Sequence, residues 1–263
     1  MKPLPAARAT LSLLVALASL AALPVHAVGS QAEVQVIDRD SGETLTVYRH
    51  RGEHWVAGRP GARYAVSVRN ATPGRVLSVV SVDGINVVSG ETATWQQTGY
   101  VLSPWQQHAI NGWRKSDSEV AAFHFTASTD SYAERTGRPA HVGVIGVAVF
   151  REKPLPPPPP PIAPSPVQRE QSAAQESRSS APASAADMAA RPRLGTGHGE
   201  RETSVVGHTT FERRSQRPDE LIRIRYDSRE NLVAMGVIPT QAMPPRPNPF
   251  PGSVSPGYTP DPN

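Results

Sequence analysis

The 263-residue chain contains no cysteine, very little lysine and, beyond its N-terminal segment, no long apolar run. The absence of cysteine excludes disulfides, a thiol nucleophile and a lipoprotein anchor, so an apolar core alone must stabilise the fold. Only Lys2, Lys115 and Lys153 are lysines, and the arginines are scattered among carboxylates. Because nucleic-acid binding requires a clustered basic face, we predict an ordinary mixed surface and no nucleic-acid partner.

The N-terminal segment has the pattern of a secretory signal peptide. Lys2 and Arg8 precede an apolar stretch at 11–23, and the small residues Val25 and Ala27 follow it. The stretch is shorter than the roughly 20 residues that a membrane-spanning helix needs. We therefore predict cleavage near Ala27 and a soluble periplasmic or secreted product without a membrane span.

Composition divides the chain into a signal peptide, a β-rich domain, a proline-rich linker, a small structured segment and a tail: 1–27, 28–153, 154–193, 194–240 and 241–263. The linker and the tail lack the aromatic and branched residues of a core, so we predict that both are disordered. The linker includes the six prolines Pro156–Pro161, which favour polyproline II. From Pro154 to Pro166 such a helix would span about 40 Å. We interpret it as a spacer, with a docking ligand for a partner domain as the alternative.

The region 28–153 contains short alternating runs separated by turn signals. In RYAVSVRN, for example, Tyr64, Val66 and Val68 share one face. Runs of this length and spacing are typical of all-β sandwiches and barrels. We predict a mainly β fold, an antiparallel β-sandwich of the jelly-roll or immunoglobulin-like type.

The dipeptide Asp83-Gly84 can be a hairpin turn or, with Asn86, part of an oxygen-rich cation site. A two-residue Asp-Gly loop between β-branched runs favours a type I′ turn, in which Val82 lies opposite Ile85. A calcium loop would need further carboxylates at alternating positions, where apolar residues stand instead. We predict the turn.

The region 194–240 is predicted to form a small ββα segment. TSVVGHTTFER and ELIRIRY have strand patterns, and DSRENLVAMG has the pattern of a helix that begins at Asp227 or Ser228 and ends at Gly236. A unit of about 45 residues without disulfides is marginal alone. We therefore expect it to dock on the sandwich or on another chain.

Two motifs resemble chemical signatures. His50, Glu53 and His54 match the H-x-x-E-H zinc pattern of a peptidase class, which requires a helix to bring the histidines together. A strand pattern precedes this motif, Gly52 interrupts it and another strand follows, so we predict a hairpin and no metal or cofactor. GTGHGE lacks the spacing and the strand and helix context of a phosphate-binding loop. We interpret it as a flexible lead into the C-terminal strands.

Aromatic residues suggest where a binding surface lies. Strand alternation explains Tyr100 and Trp113 by core packing, whereas Trp95 and Trp105 lie in polar stretches and are candidates for exposure as a ligand platform. Loops at the ends of a sandwich carry binding more often than its faces. Two such loops, SPWQQ and GWRKS, are expected to form separate patches. We choose GWRKS, and the candidate binding residues are Trp113, Arg114, Lys115 and, at the other patch, Trp105.

The stretches VDGINVVSGETA, GYVLSPWQQHAINGWRKS and YAERTGRPAHVGVIGVAVFRE together resemble a family of exported proteobacterial proteins. The resemblance covers roughly 64–152, and IRYDSRENLVAMGV is similar to the C-terminal part of such proteins. It implies an exported bacterial protein with one structured module. The family has no established activity, so the resemblance implies no catalytic residue, cofactor or partner.

Two classes of function fit these observations. The first is a non-enzymatic envelope protein that binds another envelope protein, with two structured pieces joined by a spacer that raises the local concentration of the second piece. The second is a carbohydrate-binding module or hydrolase accessory domain that contacts a polysaccharide through exposed aromatics. No catalytic residue is predicted, because neither paired carboxylates nor a nucleophile motif stands at a recognisable spacing.

Overall fold

A computed structural model of the protein describes residues 27–154 and 193–239. These residues form a mainly β, sandwich-like fold in which two sheets enclose an apolar core. The predicted signal peptide, nearly all of the linker and the tail lie outside the described residues. Among the residues that are described, no helix is long and apolar enough to cross a membrane.

Six strands form the first sheet, in which β1, β4, β10 and β12 lie side by side in that order. Strands β4 and β10 pair only where Tyr64 lies opposite Phe123 and Arg63 opposite His124. Beyond that point they diverge, and β8 and β9 fill the fork by pairing with β4 and β10 respectively. The strands are β1 (Ala32–Asp38), β4 (Arg63–Asn70), β8 (Gln107–Ile110), β9 (Gly112–Arg114), β10 (Glu119–Ala127) and β12 (Leu194–Thr203).

Seven strands form the second sheet, in the order β2, β3, β13, β11, β5 and β6, with β7 also paired to β5. One pair departs from the antiparallel prediction, because β13 runs parallel to β3. A parallel pair needs a long connection rather than a tight turn, and here most of the chain separates the two strands. The strands are β2 (Val47–His50), β3 (Glu53–Gly58), β5 (Val76–Val82), β6 (Ile85–Asn86), β7 (Tyr100–Leu102), β11 (Val144–Arg151) and β13 (Glu220–Ser228).

The residues that follow the linker contribute to both sheets. β12 pairs with β10 in the first sheet, whereas β13 lies between β3 and β11 inside the second. A short helix, α1 (Tyr132–Arg135), lies between β10 and β11. The helix expected after ELIRIRY is α2 (Arg229–Ala234), which Ser228 caps by accepting a hydrogen bond from the Asn231 N–H. Both strands therefore belong to the sheets themselves rather than docking on their surface, and β13 is an interior strand of the second sheet.

The first of these strands, β12, lies earlier in the chain than the sequence pattern predicts. β12 includes the GTGHGE stretch, which we expected to be a flexible lead, and ends at Thr203, where the predicted strand was to begin. Its alternating glycines allow close packing: a Cβ on Gly197 would lie 2.2 Å from His124 Nε2, and one on Gly195 would lie 2.6 Å from Ser131 Cβ. The glycines are therefore needed because neighbouring residues approach the backbone of this strand, and not because the chain turns here.

The Asp83-Gly84 turn is confirmed. Val82 pairs with Ile85, and Asp83 and Gly84 both have positive φ, +52° and +72°, as a type I′ turn requires. This turn is buried rather than exposed. The Asp83 carboxylate accepts hydrogen bonds from the Gly143 N–H at 2.9 Å and the Thr196 N–H at 2.8 Å.

A chain of hydroxyl groups continues from Asp83 through the core. The Tyr226 hydroxyl donates to Asp83 Oδ1 at 2.5 Å, and Thr196 Oγ1 lies 2.6 Å from the hydroxyls of both Tyr226 and Tyr64. Burial, and next the charge of Asp83, raises the pKa of both tyrosines well above the ordinary value, so their hydroxyls keep their protons. The network joins strands of the two sheets and satisfies polar groups that lie away from water.

Candidate binding cleft

A cleft of about 350 Å³ lies beside the predicted GWRKS loop, and we call it the Arg114 cleft. The segment 204–209, which follows β12, forms one of its walls. Two backbone hydrogen bonds attach this segment to the loop, from the Ser204 N–H to the Ser118 carbonyl at 2.7 Å and from the Val206 N–H to the Asp117 carbonyl at 2.9 Å. The cleft thus combines chain from before and after the linker.

Arg114 is the central cation of this cleft. Its Nη1 donates to the Ser204 carbonyl at 2.7 Å and its Nη2 to Ser204 Oγ at 3.0 Å. Its Nε donates to the Tyr100 hydroxyl at 3.3 Å, and its guanidinium carbon lies 5.8 Å from the Tyr100 ring centre. Arg114 therefore holds the 204–209 wall in place while it supplies positive charge to the cleft.

His108 and Asp117 add polar groups to the lining. The His108 ring lies 5.0 Å from the Tyr100 ring, and its Nε2 is buried without a hydrogen-bond partner among the described residues. Burial, followed by the charge of Arg114, lowers the pKa of His108, so this ring is neutral at pH 7. Asp117 pairs with the exposed His208 across 3.1 Å. The lining offers one guanidinium, one carboxylate, aromatic surface and a neutral imidazole, which suits binding of an amphipathic group.

The four predicted binding residues lie in different environments. Arg114 lines the cleft, whereas Trp113 is only 2% exposed and packs in the core, with its ring 4.8 Å from those of Phe123 and Tyr132. The Trp113 ring is thus not available at the surface. Lys115 is exposed and does not line the cleft, and its charge, after burial, contributes to the lowered pKa of His198.

Trp105 differs from the other three, because it is an apolar side chain that is more than half exposed. It is 56% exposed and has a φ of +62° at the tip of the turn between β7 and β8. The turn is closed by a hydrogen bond from the Gln106 N–H to the Ser103 carbonyl at 3.1 Å. Pro104 precedes the tryptophan, and positive φ at the position after such a proline favours glycine or asparagine. A tryptophan there is an outlier that costs about 1 kcal/mol.

The two loops that were expected to form separate patches both contribute to one cleft. Leu102 and Gln106, which flank the Trp105 turn, line it together with Arg114 and Asp117. We expected the stretch between the loops to hold them at opposite ends of one sheet. Instead β7 pairs with β5 in one sheet and β8 with β4 in the other, so the Trp105 turn crosses between sheets. No local sequence pattern predicts that residues 204–209 line this cleft, because only their contacts with the GWRKS loop bring them to it.

The H-x-x-E-H motif lies on a hairpin, as predicted. His50 pairs with Glu53 across the turn between β2 and β3, and Arg49 pairs with His54. The two histidines therefore do not share the helical face that zinc binding in such peptidases requires. Across residues 27–154 and 193–239, histidine and carboxylate side chains do not gather into a group of three or more that could hold a metal ion.

A scan against protein-family models and searches of curated proteins and of solved structures give no match to this chain. The residues and their geometry are therefore the basis for assigning a function.

Proposed function

We propose that this protein is an exported, non-enzymatic cell-envelope protein that binds another envelope protein through Trp105 and the adjacent Arg114 cleft. The observation that carries the proposal is the backbone of Trp105. A large apolar side chain is held in solvent at a position where its own backbone conformation is unfavourable. Strain of this kind persists where the surroundings impose it and is concentrated at functional sites.

The surroundings of Trp105 support a role as an anchor. Asn70 holds the base of the turn, because its Nδ2 donates to the Ser103 carbonyl at 2.9 Å and its N–H donates to the Gln106 carbonyl at 2.8 Å. Pro104 restricts the turn further. A rigidly presented tryptophan loses little conformational entropy on binding, and tryptophan is enriched among the residues that dominate interface energies.

The chemistry of the Arg114 cleft supports binding rather than catalysis. The guanidinium of Arg114 already holds Ser204, Asp117 is paired with His208, and the unpartnered Nε2 of His108 is buried. A general base or nucleophile needs a free, activated group aimed at the substrate. The mixed lining matches a partner that inserts an apolar side chain with an accompanying carboxylate or carbonyl.

Capture of a partner from envelope extracts tests the proposal, followed by a Kd measured with the purified partner. Trp105→Asn removes the anchor and should weaken the Kd by about 30-fold or more, the effect of losing roughly 2 kcal/mol. Arg51→Asn is the matched control, because Arg51 also has positive φ, +50°, in the remote turn between β2 and β3. Equal loss of affinity in both variants, or none in Trp105→Asn, would overturn the role of Trp105.

A polysaccharide is the second candidate ligand, because a planar exposed indole also stacks on sugar rings. The mature protein is therefore screened in parallel against a glycan panel. Saturable glycan binding that Trp105→Asn abolishes, without capture of a protein, would replace the first proposal by the second.

Export rests on the signal peptide that the sequence predicts, with cleavage near Ala27. The mature N-terminal residues have a place in the fold: the Glu220 carboxylate accepts hydrogen bonds from the N–H groups of Ser30 and Gln31 at 2.7 and 2.8 Å. Cell fractionation should find the processed chain in the periplasm or the medium. An uncut precursor in the cytoplasm would contradict the proposed location.

A further inference from the structure

A group of aromatic and basic side chains lies at the edge of the six-stranded sheet, around His198 of β12. β12 is the last strand of that sheet and pairs there with β10, so that His198 lies opposite Phe123. Phe123 belongs to the core, and residues opposite each other in a sheet share a face. The His198 ring therefore lies at the rim of the core, where it is half-buried and still accessible to solvent.

Two aromatic rings lie beside His198. The Trp113 ring is nearly parallel to the His198 ring, with 6.3 Å between their centres, and the Tyr132 ring is 5.3 Å from the His198 ring. Trp113 is buried, whereas Tyr132 is half-buried like His198. Tyr132 and His198 are therefore the rings of this group that a ligand could contact.

Lys115 lies on the same side of its strand as Trp113. The Lys115 N–H donates to the Glu119 carbonyl at 2.9 Å, so the pairing of β9 with β10 continues for one residue beyond Arg114. Residues two apart in a strand face the same side. Alternation therefore directs Lys115 toward the side on which Trp113 contacts His198, at a position where the lysine side chain is exposed.

Arg135 approaches the same group from α1. This helix is a single turn that begins at Tyr132 and is capped by Ser131. Residues three apart on a helix are neighbours on its surface, so Arg135 lies beside Tyr132. A lysine from β9 and an arginine from α1 thus flank the rings of Tyr132 and His198.

Both cations lack a carboxylate partner among the residues that the structure describes. Of the neighbouring acids, Glu119 pairs with Arg201 at 3.1 Å. Glu134 directly precedes Arg135 and therefore does not share its face of the helix. The positive charge of Lys115 and Arg135 is left without a counter-charge from the described part of the chain.

The pKa of His198 reflects this excess of positive charge. Burial is the largest cause that lowers it, and the charge of Lys115 is the next; the charges of Arg135 and Arg201 also lower it, while a backbone hydrogen bond opposes them. The imidazole is therefore neutral at pH 7 and keeps one N–H as a donor. An anion placed here would meet two unpaired cations and this donor.

We propose that Lys115, Arg135 and His198 bind an oxyanion, a phosphate or carboxylate group, attached to a ring that packs on Tyr132. Lysine and arginine are the side chains that bind such groups, by point charge and by the planar guanidinium respectively. A sugar that carries an acidic group combines both parts of this ligand. The GTGHGE stretch thus contributes a histidine to the site and does not act as a phosphate-binding loop. The inference is independent of Trp105 and of the Arg114 cleft, whose lining contains none of these side chains.

Histidine side-chain NMR on the mature protein tests the site, with His198→Gln to assign the His198 signal. The probes are inorganic phosphate, glucose 6-phosphate and glucose, titrated at one pH. Glucose 6-phosphate should shift the His198 signal saturably and bind about threefold or more tighter than inorganic phosphate, because its ring adds contact with Tyr132. Glucose should leave the signal in place. Glucuronate carries a carboxylate on the same ring, and the tighter of the two acidic sugars identifies the oxyanion.

Two results of these titrations would contradict the proposal. A His198 signal that no acidic probe moves, or that glucose moves equally, would overturn the oxyanion site. Glucose 6-phosphate that binds no more tightly than inorganic phosphate would overturn the contact with Tyr132.

Charge variants test whether the two cations bind the ligand. Lys115→Gln and Arg135→Gln should each weaken the Kd for glucose 6-phosphate by about fivefold or more, whereas Lys115→Arg keeps the charge and should retain most of the affinity. Lys153→Gln is the matched control, because Lys153 follows β11 and α1 precedes it, and that strand is about 26 Å long. Equal weakening in Lys115→Gln and Lys153→Gln would overturn the site, and so would a shift of the His108 signal in place of His198.

Discussion

Asp83 and Trp105 both occupy turns with positive φ, yet one turn is buried and the other is displayed. Asp83, at φ +52°, has its carboxylate surrounded by donors from three other parts of the chain. Trp105, at φ +62°, is 56% exposed and its ring is not surrounded by comparable contacts. The cost of this backbone conformation is therefore offset by side-chain hydrogen bonds at Asp83 and is not offset at Trp105.

The comparison shows that the surroundings of a turn, rather than its local geometry, determine its role. At Asp83, hydrogen bonds to Gly143, Thr196 and Tyr226 offset the cost of the conformation. At Trp105 the side chain makes no comparable stabilising contacts with the fold, which is why we assign it to partner binding. Substitutions at the two turns should consequently change stability in opposite directions.

Asp83→Ala should give the largest effect. It leaves the N–H groups of Gly143 and Thr196 and the Tyr226 hydroxyl without their acceptor in the core. Each buried unsatisfied group costs about 1–3 kcal/mol, so a loss of about 3 kcal/mol or more in the free energy of unfolding is expected. Chemical denaturation measures it. A loss below about 1 kcal/mol would mean that water reaches the network and that the two turns differ less than the contacts indicate.

Tyr226→Phe should give an intermediate effect, because it removes one donor to Asp83 and breaks the link to Thr196. A loss of about 1–3 kcal/mol is expected, since the bond to the carboxylate is charge-assisted. Tyr64→Phe is the matched control, since the Tyr64 hydroxyl touches Thr196 but not Asp83. Denaturation of both variants should show the larger loss of unfolding free energy for Tyr226→Phe. The reverse order would mean that the Tyr64–Thr196 hydrogen bond stabilises the fold more than the Tyr226–Asp83 hydrogen bond.

Titration of Asp83 should have a smaller effect, because it changes the charge and leaves every donor in place. Burial raises the pKa of Asp83 above its ordinary value of 3.8, although hydrogen bonds from Tyr226 and Thr196 oppose the shift. The folded protein then binds this proton more tightly than the unfolded chain. The stability that Asp83 contributes is full below pH 3.8 and decreases as the pH rises through the raised pKa.

The measurement is the difference in unfolding free energy between the wild type and Asp83→Asn from pH 3 upward. Subtraction is needed because Glu220 acts in the opposite direction: burial opposes its charge, but hydrogen bonds from Gln31 and Ser30 outweigh burial and lower its pKa. The wild type should lose stability relative to Asp83→Asn as the pH rises. A relative gain would show that the hydrogen bonds dominate over burial at Asp83.

Trp105→Asn should give the smallest change, and it should be a gain. Asparagine tolerates positive φ, so relief of strain is expected to raise the free energy of unfolding by about 0.5–1 kcal/mol. Thermal denaturation beside Arg51→Asn, which relieves a similar strain elsewhere, checks the size of the gain. A loss of stability in Trp105→Asn alone would mean that the indole packs on the fold, and the contrast with Asp83 would disappear.

Local patterns in the sequence were sufficient to predict the elements whose cause is local. Alternation located β4 and β10, the Asp83-Gly84 dipeptide defined its hairpin, and a serine cap and a glycine marked the ends of α2. The hairpin at His50 and Glu53 also followed from local signals, which removed a zinc site from consideration. Each of these depends on residues within one or two turns of the chain.

Contacts between distant residues decided the rest. Enclosure of Asp83 and the wall that residues 204–209 add to the Arg114 cleft both require strands that are far apart in sequence to meet. GTGHGE forms a strand because it pairs with the distant β10, and its glycines leave room for His124 and Ser131, which no local rule indicates. The period of a strand specifies which side chains share a face, but only the tertiary structure decides whether that face meets the core, a neighbouring loop or solvent.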